Sequence, residues 1–319
     1  MRRTTLIVAA MLLAIGGATS SWGQAFPSKP LRIFLGIPVG GTSDVAARAI
    51  ATPMSKALGQ PIIIENRPGA NATIAASLVS KSDPDGYSYF FGSAAQIYHV
   101  FNKVGGIDAR AEFSPVSNIQ TGGYAAVVRS TLPIRSWPEL LAYSKANPDK
   151  LNFASPSSLN DLIMAVLKSR TGFSFTSIPY KGTNDVITAL LGSQSDFTTS
   201  TVGPYLATIQ SGGVRALFVT SGKRVSLAPD VPTLGEVGVP DFEVSFNVGL
   251  WAPQRTPREF INPVNAAAAA AAKLPDVVAL FRKLGADAVG STPEEQLKTI
   301  DGELRFWSEA ARIAKFTPQ

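Results

Sequence analysis

The residues with the clearest chemical potential follow an apolar run at positions 31–37, in the segment Val39-Gly40-Gly41-Thr42-Ser43-Asp44. The two glycines allow a tight turn without a Cβ in the way. The three polar side chains can cap the helix that the following residues predict. The start of a helix carries unpaired N–H groups at the positive end of its dipole, which suits an anion. An ordinary strand-to-helix turn is the alternative interpretation, because loose glycine motifs are frequent.

Several kinds of site are excluded by residues that the chain lacks. It has no cysteine and one histidine, His99, so a Cys/His zinc site and a cysteine nucleophile are impossible. A Ser-His-Asp site would need His99, and no acid is placed to orient it. The glycine segment is neither a P-loop nor a dinucleotide fingerprint. We therefore expect no enzyme, no catalytic residue, no metal and no cofactor.

The N-terminus has the features of a secretory signal peptide. Arg2 and Arg3 precede an apolar run at 6–15 that is short for a bilayer span, and Gly23 and Ala25 offer a cleavage site. We expect residues 1–25 to be removed, with a mature chain that starts near Phe26 in the periplasm. An uncleaved anchor helix is the alternative.

Charge also limits the partners. The formal net charge is +6, of which Arg2 and Arg3 belong to the predicted signal peptide. The remaining basic residues are scattered rather than clustered, which argues against nucleic-acid binding. A mildly positive protein weakly favours small anions.

Strand patterns alternate with helix patterns along the rest of the chain, which predicts an α/β fold with parallel sheets wrapped by helices. Strands are predicted at 113–118 and 125–129, for example, and a helix at 70–80. Four predicted strand-to-helix turns are rich in small polar residues, at 39–44, 92–95, 155–158 and 180–183. In open α/β sheets, ligands bind outside the carboxyl ends of the strands.

Motifs spread over the whole mature chain resemble one family in the family's own order. They include FPSKPLRI from Phe26, GGTSDVAAR from Gly40, LGQPIIIENRPGA from Leu58, IPYKG from Ile178 and LAPDVPTLGEVGVPDFEV from Leu227. The chain resembles the extracytoplasmic substrate-binding proteins of tripartite tricarboxylate transporters, the Bordetella-uptake-gene type.

The resemblance implies a two-lobed, type II-like periplasmic binding protein with a ligand cleft between two α/β lobes. Lobe one is expected to hold residues 26–125 and 245–319, and lobe two residues 126–244, with closure by hinge motion near Ala125 and Ser245. A ligand carboxylate would be held by backbone N–H groups and water. The candidate ligand-binding residues are Val39, Gly40, Gly41, Thr42, Ser43, Asp44, Ser93, Ala94, Ala95, Ser155, Ser157, Ser158, Tyr180, Gly182, Thr183 and Ser200.

Two positions depart from the family pattern. Ser200 stands where amino-acid binders carry an aspartate, and Asp196 should lie at the other end of that strand. The second-lobe loop at 155–161 is short and contains Pro156, with Asp161 near the position of a usual histidine. For Tyr180 the sequence leaves two interpretations open, because its ring can pack while its hydroxyl reaches the cleft.

The resulting hypothesis is a monomeric receptor that binds a small organic acid and docks on the membrane subunits of a tripartite tricarboxylate-type transporter. The alternatives are a ligand sensor that docks on a receptor kinase, and an exported carboxylate-acting enzyme. Because Ser200 carries no charge to pair with an α-ammonium group, the hypothesis favours a non-amino organic acid.

Overall fold

The computed structural model describes residues 26–40, 42–94, 98 and 106–316, with strands and helices in alternation. The elements of the N-terminal part of the chain, up to residue 129, end with a strand that runs through both lobes. These elements are β1 (Leu31–Leu35), α1 (Thr42–Leu58), β2 (Ile62–Asn66), α2 (Thr73–Ser80), β3 (Ser88–Gly92), α3 (Ala109–Glu112) and β4 (Phe113–Arg129).

The remaining elements build the second lobe and return to the first. They are α4 (Trp137–Ala146), β5 (Asn152–Ser155), α5 (Ser158–Thr171), β6 (Thr176–Pro179), α6 (Thr183–Leu191), β7 (Phe197–Thr201), α7 (Leu206–Gln210), β8 (Val214–Val219), β9 (Ser245–Pro253), α8 (Arg258–Ala272), α9 (Pro275–Lys283), β10 (Asp287–Ala288) and α10 (Pro293–Ala314).

Helix α1 shows why the alternating pattern produces these elements. Its buried residues Ala46, Ala47, Ile50 and Met54 recur at helical spacing, so one stripe of the helix faces the sheet. They pack in one cluster with alternate residues of β1, such as Ile33. The same logic places buried residues on one face of the longer helices, such as α8.

The strands form two sheets that share β4. In lobe one the order is β2-β1-β3-β9-β4-β10, and in lobe two it is β6-β5-β7-β4-β8. Residues Phe113 to Gly123 of β4 pair with β9, whereas its residues from Tyr124 onward pair with β7 and β8. The α/β fold predicted from the sequence is thus confirmed, with helices on the faces of both sheets.

The sheets are mixed, so the expectation of parallel sheets is wrong in part. β1, β2 and β3 are parallel, as are β5, β6 and β7, but β9 runs antiparallel to β3 and β4. A chain that leaves lobe one along β4 must return along β9 in the opposite direction. The two predicted strands at 113–118 and 125–129 are one strand, β4. The predicted helix at 70–80 begins at Thr73, after a 3₁₀ turn.

Helix α10 contacts the cores of both lobes. Ile300 is buried with Phe34 and Trp251 of lobe one, while Phe306 and Trp307 are buried in the main core of lobe two. The division of the chain at 125 and 245 stays a prediction, and α10 is an element that both lobes share.

Among the described helices, none is by itself long and apolar enough to cross a membrane. The consecutive helices α8 and α9, bent by 72°, meet that criterion only as a pair, by length and composition.

Candidate functional site: the cleft between the lobes

Strand directions bring the predicted loops to one place. β3 and β4 both run antiparallel to β9, so they are parallel to each other. β1 is parallel to β3 and therefore also to β4. β4 therefore leaves lobe one at the edge where β1 and β3 also end. In lobe two, β7 is antiparallel to β4, and β5 and β6 are parallel to β7. The carboxyl ends of β5, β6 and β7 thus point back toward those of β1 and β3, across the cleft.

The helices that follow these strands begin at the cleft. They are α1 after β1, α2 after β2, α5 after β5 and α6 after β6. The N-terminal residues of a helix offer N–H groups with no partner inside the helix, at the positive end of the dipole. The convergence of four helix starts makes the cleft favourable for an anion.

In lobe one, Asp44 organises the loop between β1 and α1. Its side chain is 2% exposed. Its carboxylate accepts hydrogen bonds from the N–H of Gly40 at 2.9 Å, from Arg48 Nε at 3.0 and 3.1 Å and from Asn66 Nδ2 at 3.0 Å. Burial alone would raise the pKa of Asp44, but these hydrogen bonds outweigh it and lower the pKa to about 2. The buried carboxylate is therefore ionised and ties the loop together from inside.

This network changes the role expected for Gly40. Its N–H donates to Asp44, so in this structure it is not directed to a ligand. Gly40 is instead needed for its φ of +84°, a conformation that favours glycine. Val39 at the loop tip is 71% exposed, and Ser43 is half-buried. Gly41 lies outside the described residues, and the backbone of Thr42 begins α1.

In lobe two, the loop between β5 and α5 is held by hydroxyl groups. The buried Ser155 donates from Oγ to Asp161 at 2.8 Å, and Ser177 donates to the other oxygen of the same carboxylate at 2.8 Å. Ser157 donates to Asn160 Oδ1 at 2.6 Å, and Asn160 donates to the carbonyl of Thr199 at 2.6 Å.

The start of α5 at Ser158 is left without a side-chain cap. Ser157 is its N-cap residue, with φ −167° and ψ 160°, but no side chain accepts from the first N–H groups of the helix. The same is true of α6, whose N-cap is Gly182 and whose first residue is Thr183. A Cβ placed on Gly182 would meet no atom within 4 Å, so there is open space at that helix start.

Side-chain caps are present on several helices elsewhere. Asp108 caps α3, Ser136 caps α4, and Thr292 and Glu295 form a capping box on α10. Helices α8 and α9 also lack side-chain caps, so an open start is not by itself a sign of function. Helices α2 and α7 lack side-chain caps as well. Helices α5 and α6 start directly after lobe-two strands, whereas α7 follows β7 through a 3₁₀ turn.

The structure gives Tyr180 a packed ring and a paired hydroxyl. Its ring packs against the lobe-two cluster that contains Val186 and Tyr205, and its hydroxyl lies 3.0 Å from the hydroxyl of Ser195. Its N–H donates to the carbonyl of Ser155 at 2.9 Å. Tyr180 therefore joins two cleft loops through its backbone, while its side chain packs.

The loop after β3 is described only at its start. Ser93 is half-buried and Ala94 is buried. The carbonyl of Gly92 accepts from Trp251 Nε1 at 3.0 Å, which ties the end of β3 to β9. The candidate Ala95 and the histidine His99 lie outside the described residues.

Strand β7 contributes neutral polar groups near the cleft. Ser200 is 7% exposed, and Thr199 is buried with no hydrogen-bond partner for its Oγ1. Burial raises the pKa of Tyr205 to about 12, an effect that the hydroxyls of Thr198 and Ser200 partly offset. Asp196 lies at the opposite end of the strand, as expected, where it pairs with Arg129 at 2.8 Å.

The sequence analysis did not select the segment just before α2. Ala70, Asn71 and Ala72 have φ values of 44°, 51° and 69°, which non-glycine residues adopt only at an energetic cost. A Cβ on Gly36, the residue after β1, would lie 2.2 Å from Ala72 Cβ. The strained turn therefore packs directly against the loop that leads to Gly40. Its sequence signal is Pro68-Gly69, which marks a turn.

A family model described as tripartite tricarboxylate transporter family receptor matches residues 46–313. The chain belongs to this family. The resemblance seen in the sequence motifs is thereby confirmed.

Relatives in the family match along nearly the whole chain. A protein encoded between tcbD and tcbE in Pseudomonas sp. strain P51 is 31% identical, over 97% of this chain and 93% of its own. Protein BugT of Bordetella pertussis is 29% identical, over 98% of this chain and 97% of its own.

Solved structures of similar proteins share the fold. The periplasmic binding protein BugD has a TM-score of 0.70 at 30% identity, covering 92% of this chain and all of its own. An R. palustris protein solved with adipate has a TM-score of 0.74 at 28% identity, over 92% and 100%. MatC from Rhodopseudomonas palustris, solved with malate, has a TM-score of 0.67 at 28% identity, over 90% and 99%. The family is thus one of periplasmic solute-binding receptors, and its solved members include carboxylate complexes.

Proposed function

We propose that this chain is an extracytoplasmic receptor that captures a small organic carboxylate in the cleft between its lobes and delivers it to a tripartite tricarboxylate-type membrane transporter. Membership of the receptor family supports the proposal, as do the adipate and malate bound to two similar proteins. Binding is proposed to close the lobes by hinge motion at the crossings near Ala125 and Ser245.

One observation carries the proposal for this chain. Helices α5 and α6 start at the cleft without side-chain caps, so their first N–H groups remain to bind a carboxylate. The loop of lobe one lies opposite and is fixed in shape by Asp44. Since Asp44 already accepts the N–H of Gly40, the main anion site is assigned to the helix starts of lobe two.

The neutral wall of β7 supports a ligand without an amino group. Ser200 carries no charge, and Asp196 is paired with Arg129 at the far end of the strand. Asp161 accepts from the hydroxyls of Ser155, at the end of β5, and Ser177, on β6. An α-ammonium group placed near Ser200 would lose its water without gaining an ion pair, which is unfavourable. We therefore assign the site to a non-amino organic acid.

Binding is tested by thermal shift with adipate and malate as the first probes, followed by calorimetry. A ligand at 100 times its dissociation constant adds about 2.7 kcal/mol of stability. Paired ligands then test the class, with succinate against aspartate and glutarate against glutamate. Tighter binding of the plain diacids is expected. Tighter binding of the amino acids would contradict the assignment of Ser200, and turnover of any bound acid would indicate an enzyme.

Export and delivery are tested in cells. N-terminal sequencing of the periplasmic protein should find a start near Phe26 if residues 1–25 form a cleaved signal peptide. Uptake of the labelled acid identified by calorimetry should require both this chain and the transporter's membrane subunits. Uptake that persists without this chain, together with ligand-dependent binding to a receptor kinase, would support the sensor alternative instead.

A further inference from the structure

Helix α10 makes contacts with both lobes. Near its start, Gln296 donates to the carbonyl of Leu250 in β9 at 3.2 Å, and Asp301 pairs with Arg110 at 2.9 Å. Ile300 between them is buried in a lobe-one cluster. The first half of the helix is therefore anchored to lobe one.

The second half of α10 is anchored to lobe two. Phe306, Trp307 and Ala310 are buried in the main core of that lobe, and the rings of Phe306 and Phe242 are in edge contact at 5.7 Å. Glu309 pairs with Arg170 of α5 at 3.3 Å. Any rotation of the lobes relative to each other must therefore bend α10 or pull one half from its core.

Gly302 stands between the two anchored halves. Glycine weakens a helix at an interior position, and here no close packing requires it, because a Cβ on Gly302 would meet nothing within 4 Å. The residue lines a cavity of about 630 Å³ that also touches both crossing strands, at Thr121 in β4 and at Ser245 in β9. The helix thus has its weakest residue where there is room to bend.

Glu303, the next residue, ties the helix to a crossing strand. Its side chain is 7% exposed and accepts a hydrogen bond from Asn247 Nδ2 at 2.6 Å. Asn247 lies on β9, two residues past the start of the second crossing. The contact joins the middle of α10 to the segment about which the lobes would rotate.

We propose that α10 is a third link between the lobes, with Gly302 as its bending point and the Glu303–Asn247 hydrogen bond as a latch that fixes one relative orientation of the lobes. The two crossing strands alone would leave the lobes free to rotate about them. The latch adds a contact that is made in one orientation and lost as the helix bends.

The protonation of Glu303 would control the latch. Burial raises the pKa of Glu303 to about 8, an effect that the hydrogen bond from Asn247 partly offsets. Burial and the neighbouring Glu303 in turn raise the pKa of Tyr124, on β4, above its usual range. The charged residues around the same cavity are Glu243, Glu295, Lys298 and Arg305. Protonated, the carboxyl is stable in its buried position, and loss of the proton as the pH rises places a charge there that favours exposure through bending of the helix.

The test measures the distance between the lobes in the ligand-free protein, so its result does not depend on the proposed function. Because the chain has no cysteine, dyes can be attached at two introduced cysteines only, K56C in lobe one and K150C in lobe two. Single-molecule energy transfer then reports the distribution of interlobe distances. The labelled protein is expected to show a shift to a second distance as the pH rises through about 8.

Two variants separate the bending point from the latch. Glu303→Gln keeps a hydrogen-bond acceptor without a charge and should abolish the alkaline shift. Gly302→Ala should narrow the distance distribution at every pH, whereas Gly235→Ala, in an exposed loop of lobe two, should leave it unchanged. An alkaline shift that persists in Glu303→Gln, or a Gly302→Ala protein with the same distribution as its parent, would overturn the proposal. Thermal melts verify that each variant is folded.

Discussion

The two main loops of the cleft are built from similar residues but are stabilised differently. Between β1 and α1, the carboxylate of Asp44 is buried, pairs with Arg48 and accepts the N–H of Gly40. Between β5 and α5, the carboxylate of Asp161 accepts from two serine hydroxyls, and the helix start is left without a cap. The first loop uses a backbone donor to fix its own shape, whereas the helix start after the second has no side-chain cap.

A single glycine loop could both hold its own shape and bind the carboxylate. In our proposal these two tasks belong to different loops. The lobe-one loop provides a rigid wall, since an ionised carboxylate in a buried network resists rearrangement. The lobe-two helices present the positive ends of their dipoles, the place where we propose that a carboxylate binds. Loss of a residue in the first loop should therefore affect stability and binding together. Loss of an N–H group at the start of the second loop's helix should affect binding alone.

The largest effect is expected from Asp44→Ala. It leaves Arg48, Asn66 and the Gly40 N–H without their acceptor, and each hydrogen bond to a charged group contributes about 1.5–3 kcal/mol. Binding of the test acids should weaken as well. The matched variant Asp161→Ala should cost less, about 1–3 kcal/mol, because it removes hydrogen bonds from hydroxyls. Urea unfolding measures both, and equal losses would contradict the comparison.

Ser158→Pro is expected to lower the affinity for the ligand strongly and to leave the stability unchanged. Proline is tolerated at the first position of a helix but has no N–H, and Ser157 before it is already extended. Loss of one N–H donor to a carboxylate should weaken binding about tenfold to a hundredfold. Arg258→Pro, at the exposed start of α8, is the control and should leave calorimetric affinity unchanged.

The pH dependence of stability should report on Asp44. Its pKa in the folded protein is about 2, below the ordinary value of 3.8. The ionised form is thus favoured by folding, and this contribution is present above pH 4 and lost as the pH falls toward 2. The shift corresponds to about 2 kcal/mol. The free energy of unfolding, measured with denaturant, should fall less between pH 6 and pH 3 in Asp44→Asn than in the parent protein. An equal fall in the two proteins would argue against the network.

The smallest effect is expected from Ala72→Gly. Ala72 has φ 69°, and a left-handed conformation costs a non-glycine residue about 1–2 kcal/mol. Because glycine also removes the buried Ala72 methyl, the net gain in stability should be below about 1 kcal/mol. Ala75→Gly, inside α2, should lower it by a similar amount. A melting temperature that falls in both variants would show that the turn before α2 is not strained.

Much of the cleft could be predicted because its signals are local. Apolar runs followed by glycine and serine locate the loops after β1, β5 and β6, and the order of strands and helices brings them to one edge. The departure at Ser200 could also be found, because it depends on a motif. These signals use neighbours in the sequence, and the structure places them at the cleft.

The parts that could not be predicted depend on distant partners. Asn66 reaches Asp44 across 22 positions, and nothing in the glycine motif shows that the N–H of Gly40 is already used. The direction of the Tyr180 ring is set by Ser195 and by the core around it. Strand β9 is buried along nearly its whole length, so it lacks the alternation that identifies a strand with one exposed face.

The shared position of α10 also limits when the chain can become folded. The central strand β9 of lobe one is made only after all of lobe two, and the core of lobe two lacks Phe306 and Trp307 until almost the last residues are made. Neither half can complete its interior as the chain emerges, since both depend on contacts of large sequence separation. The nascent chain therefore stays incompletely folded until its C-terminal helix has been synthesised, and a truncation of that helix should leave both halves incompletely packed.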